Sequence, residues 1–143
     1  MSKNIGIAAA AGYSGKPVAA KLGIKNASRV LLLDAPDDYA QLIGTLPQDV
    51  RFDNRTSHAV DIAHVFATRK ESLLTHLVAL RKTLRPDAAI WVSWPKKSAK
   101  ISTDISEDTI RELALPLGFV DIKVCAVSEI WSGLKLVVRT ELR

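Results

Sequence analysis

The run Trp94-Pro95-Lys96-Lys97 sets an aromatic ring beside two ammonium groups, a pairing suited to stacking a base and holding its phosphate. It lies in a stretch without Asp or Glu from Ala88 to Thr103, which also holds Lys100. A second acid-free stretch runs from the first residue to Leu33, leaving Lys3, Lys16, Lys21, Lys25 and Arg29 unanswered locally. The overall excess is modest, 20 Lys and Arg against 15 Asp and Glu, so the clusters carry the signal. Lys16, Trp94, Lys96 and Lys97 form the expected ligand-binding set, for an anionic small molecule or a nucleic acid. A solvated, solubilising face is the simpler account of the same charges. Core packing is likewise the ordinary use of Trp91 and Trp94, which lie three apart on a strand and hence on opposite faces.

Asp34-Ala35-Pro36-Asp37-Asp38 follows the apolar run Arg29-Val30-Leu31-Leu32-Leu33, where a nucleotide-binding α/β protein places a glycine-rich turn. Glycine lets a phosphate or carboxylate approach bare backbone N–H groups, whereas aspartates bring negative charge and proline removes a donor. Like unit charges about 4 Å apart repel by about 4 kcal/mol at a surface-like dielectric.

No metal site is expected, because His58, His64 and His76 show no ligand spacing with Cys125, and His64 within an apolar strand reads as a satisfied interior histidine. Cys125 is the single cysteine and cannot form an internal disulfide. In the run Val124-Cys125-Ala126-Val127 it reads as a packed thiol. This usage suits a reducing, cytoplasmic compartment. Ile5 to Ala11 is too short to span a bilayer, and no membrane partner is expected.

The elements that must position these residues can be read in order. Residues 1–11 read as a flexible arm and 12–143 as one α/β domain, large enough to bury roughly two-thirds of its unfolded surface. Helices are expected at Lys16 to Leu22, with Pro17 in the first turn and Gly23 past the end, and at Asp37 to Ile43. Strands are expected at Arg29 to Leu33, Val50 to Asp53, Asp61 to Ala67 and Ala88 to Trp94. Leu73, Leu74, Leu77, Val78, Leu80 and Leu84 recur at helical spacing over Arg69 to Leu84, with Thr68 and Glu71 as a capping box and Pro86 as the stop. Ser106 to Leu117 reads as a helix closed by Gly118. Phe119 to Val127 and Leu134 to Arg139 read as an antiparallel hairpin with Trp131 at its tip, where it would anchor a partner or cover a sheet edge. This order predicts a mainly parallel sheet with a C-terminal antiparallel hairpin, its ligands at the carboxyl ends of the strands.

The element order resembles the S-adenosylmethionine-dependent methyltransferase fold, shortened in its first half. Lys21-Leu22-Gly23-Ile24-Lys25 ahead of the first strand is similar to the approach to that strand in the fold. Ala11-Gly12-Tyr13-Ser14-Gly15-Lys16-Pro17, Trp91-Val92-Ser93-Trp94-Pro95-Lys96-Lys97, and Val120 to Val127 with Trp131-Ser132-Gly133-Leu134-Lys135 resemble an uncharacterised bacterial family of domains of unknown function. The resemblance covers nearly everything after Ala11 and implies a Rossmann-like, methyltransferase-like sheet. In the methyltransferase alignment the glycine positions fall on Asp34, Pro36 and Asp38, so no cofactor is the first expectation, and a degenerate, non-catalytic domain follows. The alternative is a methyltransferase with an atypical S-adenosylmethionine site, Asp34 beside the cofactor and Asp53 at its ribose. A third expectation is an interaction module, monomer or homodimer, pairing through its hairpin.

The N-terminus allows another arrangement. Asn4 to Ala10 as a strand, followed by Gly12-Tyr13-Ser14-Gly15, resembles the Gly-Tyr-Thr-Gly loop of N-acetylglutamyl-phosphate reductases, with Ala9 replacing the first glycine and Asp34 at the ribose. Gly15-Lys16 is not a phosphate-binding Walker loop, because position 10 is alanine and Pro17 replaces the Ser or Thr that would hold magnesium.

Overall fold

Strand β1 (Arg29–Leu33) forms because its branched and aliphatic side chains suit a pleated surface buried on both faces. In the computed structural model, which describes residues 16–143, Val30 and Leu32 pack into one apolar cluster and Leu31 and Leu33 into the other. The expected arm, the strand from Asn4 and the Gly12-Tyr13-Ser14-Gly15 loop lie outside the described residues.

The remaining elements are α1 (Val18–Lys21), α2 (Tyr39–Ile43), β2 (Arg51–Asp53), β3 (Ile62–Phe66), α3 (Lys70–Thr83), β4 (Ala89–Pro95), α4 (Glu107–Ala114), β5 (Phe119–Ala126) and β6 (Trp131–Val138). They build a six-stranded sheet of order β2-β1-β3-β4-β6-β5. Strands β2, β1, β3 and β4 run parallel, and β6 pairs antiparallel with both β4 and β5. This is the mixed α/β architecture with the C-terminal hairpin that the pattern of elements predicts.

Helices α3 and α4 cover one face through Leu73, Leu77, Leu80, Ile110 and Ala114. Helices α1 and α2 cover the other through Val18, Ala19, Tyr39 and Ile43. Trp91 and Trp94 occupy opposite faces as their spacing requires. The Trp91 indole N–H donates to the carbonyl of Leu22 at 2.9 Å, which ties α1 to the sheet. Gly133 lets the hairpin lie against that indole, since a Cβ there would stand 2.9 Å from Val127 and 3.3 Å from Trp91. Among the described residues no helix is long and apolar enough to cross a membrane.

Four local expectations are corrected. The first helix shrinks to Val18–Lys21, because Pro17 sits in extended geometry as its cap. The helix from Ser106 tightens into a 3-10 turn at Leu115–Leu117, where Pro116 has no N–H to continue the α-helical ladder. Thr68 does not cap α3. Its cap is Arg69, without a side-chain bond, and the Lys70 N–H donates to Asp104 at 2.7 Å across the β4–α4 connection. The Thr68 carbonyl accepts from the Thr103 hydroxyl and the Asp104 N–H, so the end of α3 is fixed by a distant segment. The hairpin also differs: β6 begins at Trp131, and the Ser128 hydroxyl closes the turn by accepting from the N–H groups of Ile130 and Trp131.

Candidate functional site

The chain order reverses direction between β1 and β3, since β1 leads to β2 on one side while β3 leads to β4 on the other. Sheets of this kind bind ligands in the crevice beyond such a reversal. On the α1–α2 side of this reversal aromatic side chains pack against β3, and on the α3 side a cleft of about 290 Å³ lies between Asp34, Glu71, Ser72, Thr75 and His76. Tyr39, the first residue of α2, is 7% exposed and meets Phe66, His64 and Phe52 edge-on at ring separations of 5.7, 5.4 and 6.0 Å. His64 stacks on Phe66 at 4.4 Å, and Trp131 meets Phe66 edge-on at 5.0 Å. Trp131, expected at the hairpin tip as a partner anchor or a cover for a sheet edge, opens β6 and is engaged with Phe66.

A buried polar chain runs through this aromatic cluster. The Tyr39 hydroxyl lies 3.0 Å from Nδ1 of His64, and Nε2 of His64 lies 2.7 Å from the Ser93 hydroxyl. Hydroxyls both donate and accept, so either tautomer of a neutral imidazole satisfies both contacts. Burial pushes the His64 pKa down to about 3 and raises that of Tyr39. Both groups thus stay uncharged at neutral pH. The interior, bonded histidine matches its sequence reading. Tyr39 and Ser93 carried no signal, because neither the turn before Tyr39 nor the apolar context of Ser93 reveals a partner on another strand.

The two carboxylates of the cofactor alternative are both engaged. Asp34 adopts φ 57°, the left-handed conformation that favours glycine, and its exposed carboxylate lies 2.8 Å from Nε2 of His76. Asp53 ends β2 opposite Leu31, and both of its oxygens accept from the Arg29 guanidinium, at 3.1 and 3.2 Å. Such a fork-shaped pair is held in orientation as well as neutralised.

The four expected ligand residues are not brought to one place. Trp94 is 8% exposed and belongs to the cluster under α3 and α4, so its ring offers no free face for stacking. Lys16 precedes α1, which packs on the opposite face of the sheet. Lys96 and Lys97 do reach the carboxyl rim, half-buried and exposed respectively, where Lys97 opens a 3-10 turn ending at the exposed Lys100. The carboxyl end of the neighbouring β3 adds Arg69 and Lys70, both exposed. Sequence order hid this grouping, since more than twenty residues of α3 and β4 separate the two basic pairs. Among the described residues no group of three His, Cys, Asp or Glu side chains could hold a metal ion. Cys125 is half-buried, and burial raises its thiol pKa.

A family model described as a protein of unknown function, DUF3052, matches residues 19–140. No curated protein matches the sequence. Among solved structures, the chain is similar to an S-adenosylmethionine-dependent methyltransferase from Aquifex aeolicus, with a TM-score of 0.62 at 14% identity, covering 95% of this chain and 97% of that one. It is similar to Aeropyrum pernix fibrillarin, solved with natively bound S-adenosyl-L-methionine, at 0.55 and 14%, covering 95% and 75%. Methanococcus jannaschii fibrillarin, a pre-rRNA processing protein, matches at 0.53 and 11%, covering 95% and 74%. At these identities the likeness shows the fold.

Proposed function

The chain belongs to the DUF3052 family of unknown function, and we propose that it is a non-catalytic methyltransferase-fold protein that binds an anionic ligand along the rim of β3 and β4. The supporting observation is the division of that rim. Its first crossover carries the carboxylates of Asp34, Asp37 and Asp38 ahead of the buried Tyr39, while the adjacent strand ends carry Arg69, Lys70, Lys96, Lys97 and Lys100. Phosphates gain from several exposed cations at once, and Trp94 serves this surface from beneath by fixing the end of β4.

The cofactor seen in one structural neighbour does not fit the residues at the crevice. Pro36 offers no N–H, Asp34 presents charge toward any incoming carboxylate, and Arg29 occupies the carboxylate of Asp53. A methyltransferase with an atypical cofactor pose is the second reading, favoured by the fold likeness and by the place of Asp53 at the end of β2.

Binding to a fluorescent single-stranded oligonucleotide over a salt series tests the proposal. The expected result is a linear fall of log affinity with log salt, its slope reduced by about one for each of Lys96→Ala and Lys97→Ala. An unchanged slope in the double variant overturns it.

A further inference from the structure

Strand β2 has three residues, and the chain returns to β3 through residues 54–61 without a helix. The flank of β1 on the α3 side is therefore left open at its outer edge. A groove of about 440 Å³ lies there, lined on the apolar side by Leu31 and Leu33 of β1 and by Ala79 and Leu80 of α3. Asn54, Arg55, Thr56 and His76 supply its polar lining. We propose that this groove binds a small carboxylate with a compact apolar body, the hydrocarbon against the leucines and the carboxylate on Arg55.

The walls are built. Thr56 and Thr83 hydroxyls lie 2.8 Å apart, joining the loop to the end of α3. Arg85 donates to the His58 carbonyl at 2.8 Å and to Asp61 at 3.0 Å, fixing the other end of the same loop. His76 is oriented by Asp34 at 2.8 Å. The volume falls within the roughly 300–1,000 Å³ range of small-molecule sites, which combine an apolar lining with a few convergent polar groups.

The sign of the ligand follows from the charges. Arg29, Arg85 and Arg111 each hold carboxylates, whereas Arg55 is exposed and makes no ion pair or hydrogen bond among the described residues. No carboxylate lines the groove itself. A guanidinium beside aliphatic walls favours an anion whose remaining bulk is apolar, and a charge-assisted bond there adds to the burial of hydrocarbon. The site lies on the α3 flank and does not depend on the basic rim.

Octanoate serves as the probe, with octylammonium as its charge-reversed control, in a titration of the intact protein followed by amide NMR shifts. Octanoate is expected to saturate one site, with shifts at Leu31, Leu33, Thr56 and Ala79, and octylammonium to bind at least tenfold more weakly. Arg55→Ala weakens octanoate about tenfold or more, and Ala79→Trp, which fills the groove from an exposed helix position, abolishes the shifts. Lys96→Ala with Lys97→Ala leaves octanoate binding intact. Absence of saturable shifts, equal binding of octylammonium, or indifference to both groove variants overturns the proposal.

Discussion

The hydroxyl of Tyr39 and Nδ1 of His64 stand 3.0 Å apart on the α1–α2 face of the sheet. This bond joins the first turn of α2 to a central strand, so Tyr39 is fastened there by a partner that is itself fully buried. Tyr39→Phe keeps the ring and leaves the imidazole nitrogen without its partner. Urea unfolding should show a loss of about 1–3 kcal/mol, and no loss would mean that the contact is not made.

Acid should weaken the fold through His64. Its folded pKa of about 3 lies below the ordinary 6.5, so the unfolded chain binds the proton more tightly. The associated stability is fully present above pH 6.5 and is lost as pH falls from there toward 3. The slope for one such group is about 1.4 kcal/mol per pH unit within that window. Unfolding curves of wild type and His64→Gln between pH 4 and 7 check this, because carboxylate effects common to both cancel in the difference. A difference that does not change with pH contradicts it.

Asp34 occupies a left-handed backbone position at φ 57°. Asp34→Gly and Asp34→Ala both remove the contact with His76, and only alanine retains the steric penalty of that conformation. The glycine variant should be more stable than the alanine variant by about 1 kcal/mol in thermal or urea unfolding. Equal stabilities would show that the turn relaxes.

The start of α3 should depend on Asp104 and not on Thr68. Asp104→Ala leaves the Lys70 N–H without its carboxylate and should cost about 1 kcal/mol, while Thr68→Ala should stay within about 0.5 kcal/mol. The reverse order would restore the local capping box.

Trp94 and its two following lysines separate packing from charge. Trp94→Ala should cost roughly 3–5 kcal/mol, as for a large ring in a core, whereas Lys96→Ala with Lys97→Ala should leave unfolding nearly unchanged. A mild effect at Trp94 would place its ring at the surface.

These contrasts mark what the sequence could carry. Apolar runs such as Arg29–Leu33 and the leucine spacing of α3 located the sheet and its longest helix, because burial on both faces and on one stripe leave different periods. The interior reading of His64 followed in the same way from its apolar neighbours. Other features depended on pairings between distant segments. Asp104 caps α3 from 34 residues away, Tyr39 meets His64 across 25, and Arg29 claims Asp53 across 24. No local period encodes such partners. Trp94 packs beneath the rim for a related reason: the lysines after it signal exposure, yet β4 ends at Pro95 and is buried on both faces, so its alternation sends Trp91 under α1 and α2 and Trp94 under α3 and α4, while Lys97 belongs to the turn that follows.

Titration calorimetry of the intact protein with S-adenosylmethionine, repeated with S-adenosylhomocysteine, tests the central claim that the carboxylates and proline of the first crossover keep out a nucleotide-type cofactor. The account predicts no saturable heat with either compound and no amide shifts from Asp34 to Tyr39. One-to-one binding at micromolar concentration, with shifts at those residues, would contradict it.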